Sequence, residues 1–191
     1  MKNLILGTSL LILITNCNKD ISKEIPDEVI VIVELIKNKN KSQEELKKFT
    51  KRYSDYDSNS APNGLENIHQ ELESSDAFVI VSAEYNHFMP PALVNLLNHF
   101  YAEYQRKPSA VATYSVSPFG GVRVSSPLRS FLAQLGMPPI SSMIHAPFVN
   151  KNFNNEGERI SEDKDERQKE FIKFAEEIEW YANALKTARN K

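Results

Sequence analysis

Apolar positions along the chain follow two patterns. Short continuous runs rich in β-branched residues occur at residues 29–36 (Val-Ile-Val-Ile-Val-Glu-Leu-Ile), 77–81 (Ala-Phe-Val-Ile-Val) and 110–114 (Ala-Val-Ala-Thr-Tyr). Such runs suit strands covered on both faces, as in a parallel sheet. Elsewhere apolar residues recur at three- and four-residue spacing: Leu65, Ile68, Leu72; Leu93, Leu96, Leu97, Phe100, Tyr104; Leu128, Phe131, Leu132, Leu135; and Phe171, Phe174, Ile178, Tyr181, Leu185. Each stripe predicts an amphipathic helix. Punctuation agrees. Pro90-Pro91 opens one helix where first-turn N–H groups lack an intrahelical partner, Arg106-Lys107-Pro108 ends it, and Gly136 supplies a left-handed stop to the next.

Strands are therefore expected near residues 3–10, 29–36, 77–82, 109–115 and 140–144, alternating with helices. That alternation predicts an α/β, three-layer, flavodoxin-like sandwich on a five-stranded parallel sheet, one domain over residues 1–191. The stretch 76–121 organises it: strand, polar loop, helix, strand, polar loop. A crossover helix makes the two strands parallel, so both loops leave neighbouring carboxyl ends, where open α/β sheets bind ligands.

The N-terminal third is less regular. Met1-Lys2-Asn3, the apolar run 4–14 and Thr15-Asn16-Cys17 read either as a short secretory segment with a loose lipoprotein-type box or as a buried first strand. The run is too short to span a bilayer. Removing it would take away a strand, so an uncleaved cytoplasmic chain is expected, with lipid anchoring at Cys17 as the alternative.

Composition narrows the classes. With 41% hydrophobic and 25% charged residues in 191, the chain is long enough for one substantial core. The 23 basic and 25 acidic residues give a net charge of −2, with no field to hold a nucleic-acid backbone. One cysteine excludes an intramolecular disulfide and a cysteine metal cluster. His87 and His99 are separated by two prolines and most of a helix, so no metal site is expected, and His69 reads as a boundary or surface residue.

The two loops carry the candidate chemistry. Glu84-Tyr85-Asn86-His87 offers backbone amides, polar side chains and an aromatic face at one strand end. Ser115-Val116-Ser117-Pro118-Phe119-Gly120-Gly121 offers two hydroxyls, a stacking ring and two glycines that let backbone approach a ligand plane. Together they describe a slot for a flat heteroaromatic cofactor.

At these residues the chain resembles the NAD(P)H-dependent FMN reductase family, which includes chromate, quinone and azo-dye reductases. The family's Pro-Glu-Tyr-Asn-His, a proline and a Leu-Lys-Asn-x-x-Asp-His helix are matched by Ala83-Glu84-Tyr85-Asn86-His87 and by Pro91 followed by Leu93-Val94-Asn95-Leu96-Leu97-Asn98-His99. A Ser loop with Gly-Gly before a Val-Arg helix start is matched from Ser115 to Arg123, and the likeness covers about residues 50–187. It implies that Ala83, Glu84, Tyr85 and Asn86 contact the FMN ring and ribityl chain. Ser115, Ser117, Phe119, Gly120 and Gly121 would lie along the ring's other edge. It also implies hydride transfer from NAD(P)H to flavin N5 and on to a small-molecule acceptor, in a homodimer whose 90–104 helix and Tyr101 lie near the partner. No acid–base residue is implied, because the redox chemistry belongs to the cofactor.

One departure stands out. The family's first strand ends in a Gly-Ser-x-Arg phosphate loop, whereas this chain has Gly7-Thr8-Ser9 and no arginine before Arg52. Charge-assisted hydrogen bonds to a phosphate contribute roughly 1.5 to 3 kcal/mol each. A divergent, non-catalytic paralogue that serves as a binding module with weak or no FMN affinity is therefore the alternative.

Overall fold

The structure is a computed structural model that describes residues 29–31, 51–57, 60–154, 160 and 164–191. Its element order is strand β1 (Val29–Val31), helix α1 (Asn63–Ser74), strand β2 (Ala77–Ala83), helix α2 (Pro91–Asn98), strand β3 (Ser109–Tyr114), helix α3 (Val122–Gln134), strand β4 (Pro139–Ala146), the one-turn helix α4 (Val149–Asn152) and the long helix α5 (Lys164–Arg189). All strand pairings are parallel, in the order β1-β2-β3-β4.

The sheet corrects the expected five strands. Among the described residues it has four, three of them long and β1 only three residues. Val29, Ile30 and Val31 pair directly with Ala77, Phe78 and Val79, so this segment lies beside β2. The candidate strand 3–10, like Cys17, lies outside the described residues.

Period-two alternation in β2 divides the core. Phe78 and Ile80 face one side with Val111, where Leu65, Leu72, Leu93, Leu97, Leu128 and Leu132 of α1, α2 and α3 bury them. Ala77, Val79 and Val81 face the other side with Ala110 and Ala112, and the small residues let Phe174 and Ile178 of α5 pack close.

The predicted 90–104 helix is broken. Helix α2 ends at Asn98, and a separate 3-10 turn, Ala102–Tyr104, follows. The segment before α1 causes the break: Tyr53 donates its N–H to the His99 carbonyl (2.8 Å), and His99 Nδ1 lies 2.9 Å from the Lys51 carbonyl. Tertiary bonds thus take the carbonyl that would have continued the helix. His69 lies at the boundary, as expected: half-buried, stacked under Tyr53 (centroids 4.0 Å) with Nδ1 2.8 Å from buried Glu103.

The amino rim of the sheet is closed. Lys107 is buried and donates from Nζ to the Leu72 and Glu73 carbonyls (both 2.8 Å) at the end of α1. Asp76 takes Lys186 (2.7 Å) and Arg189 (2.5 Å) from the end of α5. Among the described residues no helix is long and apolar enough to cross a membrane.

Candidate functional site

The carboxyl rim is built from two tight turns. After β2, Tyr85 and Phe88 exchange both backbone hydrogen bonds (2.9 Å each), and Asn86 and His87 between them have φ of 50° and 64°. Positive φ at both central residues is the type I′ turn, whose mirror-image twist matches adjoining strands. Asparagine tolerates that conformation and histidine tolerates it less well. The exchange holds Tyr85 and Phe88 side by side, 58% and 51% exposed.

After β3 the same turn recurs. Val122 donates its N–H to the Phe119 carbonyl (3.0 Å), and Gly120 and Gly121 have φ of 58° and 76°. Here glycine is required twice over. A Cβ on Gly120 would lie 3.0 Å from the Ala146 nitrogen and the His145 carbonyl carbon, on top of the left-handed φ. Gly121 then caps α3.

Residues 115–119 are bound into the segment after β4. Ser115 donates its N–H to Ala146 (3.1 Å), Phe148 donates to the Ser117 carbonyl (3.2 Å) and Val149 to the Ser115 carbonyl (3.1 Å). The Ser115 and Ser117 hydroxyls lie 2.8 Å apart, so both are engaged in shaping the loop. Phe119 remains half-exposed at the tip.

Glu84 joins the two turns. Its carboxylate accepts the Arg123 N–H at the start of α3 (3.2 Å) and faces the Arg123 guanidinium (3.6 Å) and His87 Nε2 (3.9 Å). The guanidinium in turn lies 4.4 Å from the Phe119 ring centroid. One side chain, itself only 11% exposed, therefore links the rim's two halves. Ala83 and Tyr114 end β2 and β3 as paired neighbours. Burial, then the nearby Tyr85, pushes the Tyr114 hydroxyl above its ordinary range.

Three residues not anticipated as site residues support this rim. Thr113 Oγ1 donates to the Gly120 carbonyl (2.7 Å) and lies 2.7 Å from His145 Nδ1. Arg123 carries the bridge just described. Thr113 reads in sequence as one more β-branched strand residue, and His145 lies past the expected end of its strand; only the register of β3 and β4 puts them opposite each other. His99, in contrast, is buried against Lys51, apart from these turns.

The arrangement suits a flat ring. Exposed Tyr85, Phe88 and Phe119 offer faces, and left-handed turns at both strand ends aim backbone outwards as nests do. The amides of Asn86, Gly120 and Gly121 find no acceptor among the described residues.

The comparisons with known proteins agree. The chain shares its fold with the flavoenzyme NAD(P)H:(acceptor) oxidoreductase FerB of Paracoccus denitrificans, at a TM-score of 0.60 and 18% identity, over 80% of this chain and 96% of that one. An oxidoreductase from Corynebacterium diphtheriae is similar at a TM-score of 0.52 and 15% identity, over 64% of each chain. These likenesses carry the flavodoxin-like α/β fold. No curated protein sequence matches the chain. The family model described as NADPH-dependent FMN reductase matches residues 16–151, more than half of the chain. On that match this chain is a member of the NADPH-dependent FMN reductase family of flavoproteins, with FMN as cofactor and NAD(P)H as co-substrate.

Proposed function

We propose that the chain is an FMN-dependent NAD(P)H oxidoreductase that passes reducing equivalents through FMN to a quinone, a flavin or a similar small acceptor. The observation that carries this reading is the pair of type I′ turns on neighbouring carboxyl strand ends, joined by Glu84. Ala83, Glu84, Tyr85 and Asn86 would line one edge of the ring. Ser115, Ser117, Phe119, Gly120 and Gly121 would line the other.

FMN, held by these two loops, would supply the redox chemistry between NAD(P)H and the acceptor. The chain's residues orient the ring, exclude water from its inner edge and hydrogen-bond its heteroatoms through backbone. No side chain is assigned as a general acid or base. A homodimer is part of the proposal, with Tyr101, half-exposed between α2 and the Ala102–Tyr104 turn, near the partner.

Titration with FMN tests the reading: uptake with the flavin absorbance bands, followed by NAD(P)H oxidation in the presence of a quinone, is expected. Colourless protein that takes up no FMN overturns it. The missing arginine before Arg52 favours one second reading, a paralogue that kept the fold without the phosphate grip. Equal affinity for riboflavin and FMN would support that reading, and tighter FMN binding would reject it.

A further inference from the structure

Thr113 has one hydroxyl proton and two close partners. The Gly120 carbonyl can only accept, so the proton goes to it over 2.7 Å, and His145 Nδ1 at 2.7 Å must then donate to Oγ1. The arrangement that gives all three groups a partner places the imidazole hydrogen on Nδ1. Burial pushes His145 below its ordinary range, partly opposed by Glu170, so the ring is mainly neutral near pH 7 and its tautomer is a real variable.

The Gly120–Gly121 peptide is trans, so its carbonyl and its N–H point in opposite directions. With the carbonyl held inwards against β3, the Gly121 N–H is turned away from β3. Gly121 is buried, and its N–H finds no acceptor among the described residues. A buried donor without a partner is costly, and a ligand atom would satisfy it.

We propose that His145 and Thr113 are positioning residues that fix the Gly120–Gly121 peptide so that the Gly121 N–H serves as a preset donor to an acceptor atom on the edge of the flavin ring. This rests on the flavin reading above. Were the imidazole proton on Nε2, Thr113 would donate to Nδ1 instead, and the Gly120 carbonyl would lose its donor. The peptide would then lose the bond that fixes its carbonyl, leaving the turn held by the Val122 and Val124 amides alone.

The test compares wild type with Thr113→Val, Thr113→Ser, His145→Leu and His145→Asn. The readouts are FMN titration calorimetry, the flavin absorbance band and the flavin midpoint potential. The Val and Leu variants should weaken FMN binding about 3- to 10-fold, the effect of one neutral hydrogen bond, and shift band and potential. Ser keeps the hydroxyl and Asn places a donor where Nδ1 was, so both should restore wild-type values. The Thr113→Val/His145→Leu double variant should match a single one. Unchanged affinity, band and potential in the Val and Leu variants, or losses without rescue by Ser and Asn, overturn the proposal.

A second measurement needs neither mutation nor flavin. The ¹⁵N shifts of the His145 ring in wild type should show the Nδ1–H form, and the Nε2–H form overturns the relay. Failure of wild type to bind FMN would instead overturn the flavin reading, which keeps the two outcomes apart.

Discussion

The two rim turns share one backbone class and differ in material. The turn after β2 is Asn86-His87, exposed, and held by the reciprocal Tyr85 and Phe88 bonds. The turn after β3 is Gly120-Gly121, buried, and held from beneath by Thr113 and His145. A left-handed residue with a side chain costs roughly 1 to 2 kcal/mol, which glycine avoids. The first turn accepts that cost and presents side chains; the second presents backbone. A slot for a flat ring is served by both, side chains covering a face and backbone meeting an edge.

The largest effect should come from giving the second turn the first turn's material. Gly120→Ala adds a Cβ that meets the Ala146 and His145 backbone at 3.0 Å and adds left-handed strain. Strain and overpacking each cost roughly 1 to 3 kcal/mol, so a loss of about 2 to 4 kcal/mol is expected in urea unfolding. FMN affinity should fall with it. Wild-type stability in this variant would show that the second turn needs no glycine.

Next comes the link between the turns. Glu84→Ala removes the acceptor for the Arg123 N–H and the partner of its guanidinium. Arg123 is 39% exposed, which discounts the ion pair, so about 1 to 2 kcal/mol is expected. FMN titration should lose more than unfolding does, because the spacing of the two loops goes with the bridge. Equal proportional losses would make Glu84 a general stabiliser and no more.

Local signals made both turns legible in the sequence, and distant pairing hid what supports them. Gly120-Gly121 announces positive φ by composition alone, and Asn86 does so more weakly. The Glu84 and Arg123 partnership spans 39 positions, and the Thr113 and His145 contact spans 32; neither has a local signature. The same limit applied to the fold. Continuous apolar runs and helical spacing placed β2, β3, α1 and α3 well, because burial on both sheet faces and on one helix face dictates them. That Val29–Val31 would sit beside β2, and that residues 51–53 would end α2 at Asn98, follow from tertiary hydrogen bonds that periodicity does not encode.

A smaller effect of opposite sign tests the strain in the first turn. His87→Gly removes a side chain from a left-handed position while costing about 0.5 to 1 kcal/mol in unfolded-chain entropy. Strain relief of roughly 1 to 2 kcal/mol leaves a net gain of up to about 1 kcal/mol in unfolding free energy. The variant also loses the contact of His87 with Glu84, so FMN binding should not improve. A clear loss of stability would mean that His87 is held by contacts worth more than its strain.

The smallest effect concerns the anchor of β4, which supports the second turn and not the first. The Glu177 carboxylate of α5 accepts from the N–H (3.0 Å) and hydroxyl (2.6 Å) of Ser141, and from the N–H (3.1 Å) and hydroxyl of Ser142. These bonds, those of the Ser141 hydroxyl first, lower its pKa from the usual 4.5 to about 2. A depressed folded-state value means that the stabilisation is full above pH 4.5 and is lost as pH falls from there towards 2. Its place near the surface keeps the effect below about 1 kcal/mol. Unfolding followed from pH 5 to pH 2.5 should show a steeper loss in wild type than in Glu177→Gln, which has no charge to lose. Parallel curves would show that β4 holds its turn without this carboxylate, leaving Thr113 and the Phe148 and Val149 amides as the second turn's support.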